Sequence, residues 1–237
     1  MQTTLAQFDE VKSPDAFILQ NPRLLRVSLD QVTVHAKLGS MVAYQGDVTF
    51  AHAGTGGLGR MLKKAVTGEG TPLMTVSGSG EVFLADRAQD VHLIYLEKDQ
   101  LTVNGPNLLA FDSGIDWDIR RLSGGAAGAL AGGLYNLSLH GTGWVAVLSD
   151  GPPVLLDVAS APTYADAQAA ITWSSGVQTS LKTDVNARTL IGRGSGETVQ
   201  MAFSGDGWVL VQPSEGRLEA VAAGGKGGGG LGGLLGG

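Results

Sequence analysis

The chain has 237 residues, of which 43% are hydrophobic and only 16% charged, a composition that argues against disorder and for a well-covered interior, part of it covered by another subunit. Its net charge of −6 and the lack of any basic run make a field that repels a phosphate backbone, so nucleic acid is not an expected partner. With no cysteine there are no disulfides and no thiolate metal sites.

Residues 1–24 read as an N-terminal segment in which Asp9, Glu10 and Asp15 interrupt any apolar run, unlike a signal or transit sequence. No stretch approaches the roughly 18 apolar residues of a membrane span, so a cytoplasmic protein is expected. Strand alternation begins at Leu25, Val27 and Leu29 and resumes at Val32 and Val34. From there to residue 216 one pattern is written three times, in units at 25–88, 89–151 and 152–216. Each unit has a strand, a turn, a second strand ending in an aromatic (Tyr44, Phe111, Trp173), more strand, a variable insert, and a strand opened by Gly-x-Gly. Those glycine pairs are Gly78/Gly80, Gly141/Gly143 and Gly205/Gly207, spaced 63 and 64 residues apart, and a constant period marks a repeated structural unit.

Glycine within a strand costs stability, so its recurrence points to a bend, a bulge or the close approach of another backbone. After the bend, 144–148 and 208–211 are apolar at every position, as in strands covered on both faces. The first copy carries Glu81 where the others carry Trp144 and Trp208, which predicts a more exposed outer face there. Asn104-Gly105, Asp150-Gly151 and Glu215-Gly216 read as turns that tolerate positive φ. The inserts 51–70, 123–133 and 192–196 are glycine-rich and precede the repeated strand each time, so they are expected on one side of the body. Residues 58–66 form the one short helical pattern, and 217–237 a glycine-rich tail that cannot pack a core alone.

The chemical inventory is thin. Gly54-Thr55-Gly56-Gly57-Leu58-Gly59 matches a dinucleotide fingerprint but lacks the strand and full helix the motif needs, and reads as a loop. The histidines, His35, His52, His92 and His140, show no His-x-His or His-x-x-x-His spacing. His140 falls where the other copies carry Ser77 and Ser204. Asp112, Asp116 and Asp118 around Trp117 could be paired carboxylates, but Ile115, Trp117 and Ile119 alternating with Asp116, Asp118 and Arg120 read more simply as an amphipathic strand. No nucleophile elbow or phosphate loop is present. The segment 58–66, an amphipathic stretch carrying Arg60, Lys63 and Lys64, could touch a membrane or a partner.

Residues 40–46, the run 60–70 ending in Thr67-Gly68-Glu69-Gly70, then 78–85 and 109–115 together resemble the altered-inheritance-of-mitochondria family (AIM24), also known as the TRAP-like β proteins. The resemblance implies an all-β, TRAP-like or double-stranded β-helix fold, a sandwich or barrel built from repeats, often a homo-oligomer, with no established activity and no catalytic residues to carry over. The expectation is therefore a non-catalytic, self-associating β scaffold, with a trimer as the working size, that presents its glycine-rich loops to a protein partner or a membrane surface. No catalytic, cofactor-binding or metal-binding residue is assigned. The alternative is a small-molecule or metal-binding β-barrel, including an enzyme of cupin-like type.

Overall fold

The computed structural model describes residues 3–30, 32–52, 72–121, 135–182 and 200–214. The three inserts, the Gly-x-Gly-x-x-Gly run, the helical pattern at 58–66 and the glycine tail lie essentially outside these residues. The described chain is almost entirely strand. In order these are β1 Phe17–Asn21, β2 Leu24–Ser28, β3 Val34–Lys37, β4 Met41–His52, β5 Leu73–Leu84, β6 Asp90–Asn104, β7 Leu108–Asp112, β8 Asp116–Arg121, β9 Tyr135–Ser149, β10 Val154–Asp157, β11 Thr163–Asp166, β12 Ala170–Ser174, β13 Val177–Lys182, β14 Gln200–Gly205 and β15 Trp208–Val211.

All pairing is antiparallel. Twelve strands form one sheet in the order β1-β2-β5-β3-β7-β9-β6-β12-β15-β10, with β4 also on β5 and β8 also on β9, while β11-β14-β13 form a second sheet. The large sheet ends at β1 and β10 and does not close, so the barrel form of the expectation is replaced by open, folded-over sheets. Three apolar clusters fill the folds. One lies under β1–β3 and β5, one between β6, β7 and β9, and one under the C-terminal strands around Trp173 and Phe203.

Local chemistry accounts for the two longest ladders. Strands β4 and β5 run side by side for eleven paired positions, and β6 with β9 for thirteen. The first ladder crosses its glycine pair in unbroken register, whereas in the second β6 bulges between Leu96 and Asp99, opposite Gly143 and Gly141. Gly78, Gly80, Gly141 and Gly143 all take positive φ, which L side chains rarely adopt. In the first ladder the reason for glycine is also steric: a Cβ on Gly80 would lie 2.0 Å from the carbonyl oxygen of Gln45. Its neighbour across the ladder, Gly46, also has positive φ (+93°) and lets β4 run on past Tyr44, where the sequence pattern alone would end the strand. The corresponding segments after Phe111 and Trp173 instead break at turns before β8 and β13.

Around Gly205 and Gly207 the chain behaves differently. Residues 203–211 split into β14, in the small sheet, and β15, in the large one. Of the two runs expected to be covered on both faces, 144–148 is fully buried from Val145 to Leu148 but only partly at Trp144, and in 208–211 only Val209 is fully buried while Trp208, Leu210 and Val211 are partly so. Asn104-Gly105 also departs from the turn expected of it. Gly105 opens a short 3-10 turn, Gly105–Asn107, without positive φ, while Gly151 has the positive φ expected.

That 3-10 turn is a buried polar joint. Asn104 Nδ2 donates to the carbonyls of Ala167 (3.4 Å) and Ala170 (3.2 Å). Asn107 Nδ2 donates to Leu148 O (2.9 Å) and Gln212 Oε1 (3.3 Å), and Gln212 Oε1 also accepts the Asp150 N–H (3.0 Å). Buried amide donors are tolerable when their hydrogen bonds are made, and here the two Nδ2 groups tie the chain after β15 to the ends of β6 and β9, while Asn104 Oδ1 is buried without a hydrogen-bond partner among the described residues.

Three strands share a second geometric feature. Tyr44 stands opposite Val82, Phe111 opposite Val145 and Trp173 opposite Val209. In each case one extra residue (Val42, Leu109, Ile171) interrupts the register two positions before the aromatic, which is a β-bulge.

Candidate functional site

The candidate residues are dispersed. His35, on β3, packs at a tilt against Phe111 (5.2 Å between ring centroids) and approaches Trp117 (6.4 Å), with Thr75 Oγ1 3.3 Å from its Nδ1. On β6, His92 Nε2 lies 2.7 Å from Ser149 Oγ, and that hydroxyl donates to Gly151 O at 2.7 Å. Ser149 can therefore only accept from the ring, which places the imidazole proton on Nε2. On β9, the exposed His140 lies 3.6 Å from an exposed Asp116 carboxylate, a pairing that water screens. His52 ends β4, and its side chain lies outside the described set. Among the described residues no group of three His, Cys, Asp or Glu is placed to hold a metal ion.

Burial pushes the His92 pKa below its ordinary 6.5, and the nearby Asp90 carboxylate offsets this only in part. The neutral ring is thus the form the fold accommodates. Because the folded pKa lies below the unfolded one, His92 costs nothing above about pH 6.5, and its protonation in the unfolded chain weakens the fold as pH falls below that value. Urea midpoints measured between pH 7.5 and 5.5 are expected to fall on acidification. His92→Gln is expected to flatten that part of the profile, and an unchanged slope in the variant would rule His92 out as its source.

The acidic residues around Trp117 follow the amphipathic alternation. Ile115 is buried and Trp117 partly so, while Asp116 and Asp118 face water. Asp112 Oδ1 accepts the Gly114 N–H (3.2 Å) and Asp118 Oδ1 the N–H of Ile119 (3.0 Å), so these carboxylates serve turn and strand geometry.

Two features escape sequence reasoning. The first is Arg26, buried on β2, whose Nη1 lies 3.2 Å from Glu81 Oε1 and donates to Val11 O (2.6 Å) while Nη2 donates to Ser13 O (3.3 Å). Glu81 is consequently only partly exposed, and the outer face expected to be open is held under the N-terminal segment. The second is a set of apolar side chains open to solvent along β4, namely Met41, Val42 and Tyr44, with Val154 and Leu155 on β10 and Tyr164 on β11. Alternation alone does not reveal them, because β4 resembles its buried counterparts residue for residue. No helix among the described residues is long and apolar enough to cross a membrane.

Comparison with known proteins agrees with this architecture. A crystal structure of a Streptococcus pyogenes protein determined by structural genomics superposes with a TM-score of 0.69, covering 84% of this chain and 92% of that one at 21% identity, which shows the shared fold. No curated protein matches the chain in sequence. The model of the family described as "Mitochondrial biogenesis AIM24" matches residues 17–214, and the chain belongs to that family.

Proposed function

We propose that this chain is a non-catalytic β scaffold, made of three copies of one strand module, that self-associates and presents its glycine-rich segments to a protein partner or a membrane surface. The observation that carries the reading is the apolar border of β4, where Met41, Val42 and Tyr44 face solvent on a strand whose outer backbone edge meets no other described strand. Natural sheets rarely leave such an edge bare, since it templates pairing with another chain. The sequence supports the non-catalytic part, as no nucleophile, base and oxyanion set is written in it. The described histidines stand apart from one another, which favours the scaffold over a metal-binding barrel. A structural role also suits a family described by a process rather than by a reaction.

Light scattering coupled to size exclusion tests the reading. The particle is expected at a multiple of the 24.3 kDa chain mass, with three copies as the first size to compare. A 24.3 kDa monomer at micromolar concentration that also fails to float with liposomes would overturn it.

A further inference from the structure

We infer that copies of this chain join head to tail, the outer edge of β11 in one copy pairing antiparallel with the outer edge of β4 in the next, Tyr164 opposite Tyr44. The inference rests on the self-association reading and names its interface.

Within the chain the same junction is made twice. Strand β3 lies between β5 and β7, with His35 opposite Thr75 on one side and Phe111 on the other. Strand β6 lies between β9 and β12, with Thr102 opposite Ser138 and Trp173. Both junctions are antiparallel, and both set the aromatic that follows the β-bulge against the middle of the incoming strand. Strand β11 takes the matching place on β14, with Tyr164 opposite Ala202, but no described strand lies on its other side. Strand β4 takes the matching place on β5, and its other side is likewise without a described strand. Among the described strands, one socket and one plug of the same design are left over.

Exposure shows what the missing junction would cover. At the bulge, Leu109 and Ile171 are completely buried, whereas Val42 is 57% exposed. At the aromatic, Phe111 is 0% exposed and Trp173 3%, but Tyr44 is 50%. These positions have the same local backbone and the same type of side chain, and what differs is whether a neighbouring strand is seated. Tyr164, on the strand that would be seated, is itself 51% exposed. Repeating the internal register places Thr163 opposite Gln45, Tyr164 opposite Tyr44 and Ala165 opposite Ala43. Directly opposed aromatic pairs of this kind stabilise a sheet beyond their backbone bonds. Because the two edges are different, the contact is heterologous, and it makes a ring if the rotation closes or a filament if it does not.

The absence of cysteine in the natural chain makes the test direct. Tyr44→Cys and Tyr164→Cys are made singly and together, both at half-exposed positions, and oxidised. Directly opposed residues fall within disulfide reach. Each single variant alone is expected to stay uncrosslinked, their mixture to give a covalent dimer, and the double variant to give a ladder of multiples. A single variant that dimerises with itself would show an isologous contact and overturn the inference, as would a disulfide formed only within one chain. An oligomer by light scattering in which none of these crosslinks form would also overturn it while leaving the scaffold reading intact, for instance one held through β10. A monomer throughout removes both. As a second probe, Val42→Lys is expected to weaken assembly by about a hundredfold or more, since a charge would be buried at the junction, with unchanged circular dichroism. Unchanged particle mass on dilution would overturn the inference even if the cysteine variants fail to fold.

Discussion

Gly80→Ala is expected to lower the unfolding free energy by about 2–5 kcal/mol, from two separable causes. Alanine at φ +146° costs roughly 1–2 kcal/mol of backbone strain. The new Cβ would also sit 2.0 Å from Gln45 O, an overlap with main chain that no rotamer change relieves, so β4 must move away at a further cost of about 1–3 kcal/mol. Gly39 supplies the control. It also has positive φ (+84°), but a Cβ there would meet nothing within 4 Å, so Gly39→Ala should show the strain alone, about 1–2 kcal/mol. The comparison is made by urea unfolding, reading midpoints at constant m. Equal losses at the two glycines would mean that β4 and β5 do not approach as closely as the geometry has it.

Arg26→Met is expected to cost about 2–4 kcal/mol, a little under the roughly 3–5 kcal/mol typical of breaking a fully buried ion pair. The discount reflects Glu81, whose side chain retains 26% exposure and can draw partial compensation from water. The loss has three parts: an unpaired carboxylate on β5, and the carbonyls of Val11 and Ser13 that lose their donor. A cycle with Glu81→Leu separates them. The double variant Arg26→Met/Glu81→Leu should recover most of the loss, because an apolar pair of similar volume removes the buried charge altogether. Protease sensitivity gives an independent reading. If Arg26 anchors the N-terminal segment, cleavage between residues 9 and 16 should accelerate in Arg26→Met, and an unaltered cleavage pattern would contradict the anchor.

What the sequence makes legible is whatever is local in origin. Glycine pairs inside apolar strands announce a bend, a bulge or the close approach of another backbone, and Gly80 meets the carbonyl of Gln45 so closely that a Cβ would lie 2.0 Å from it; the positive φ of all six glycines is a finding of the structure. The aromatics Tyr44, Phe111 and Trp173 each close a short, mostly apolar run, and each stands opposite a valine two residues beyond the second glycine of its pair. Partnership over distance is another matter. Arg26 and Glu81 are 55 positions apart in sequence, and nothing near either announces the other. Asn104 and Asn107 carry the composition of an exposed turn, yet they are buried because the backbone of a later strand needs their donors. Trp208 and Val209 read like Trp144 and Val145, but β14 and β15 part company, and sequence alternation does not register which sheet a strand joins. The candidate surface at β4 has no signature in the sequence either, because exposure there depends on which strands lie beside it rather than on its own residues.

The placement of β6 bears on how the molecule is made. Its first half pairs with the last part of β9, and its second half is held by β9 on one side and β12 on the other. During synthesis everything β9 pairs with, namely β6, β7 and β8, leaves the ribosome before β9 does, so residues up to Ser149 can complete their own ladders while the remainder is still being translated. The second half of β6 then waits as a bare landing strip until Thr172 and Trp173 emerge to cover it, and a nascent chain stalled in that interval would offer this edge to whatever it met first.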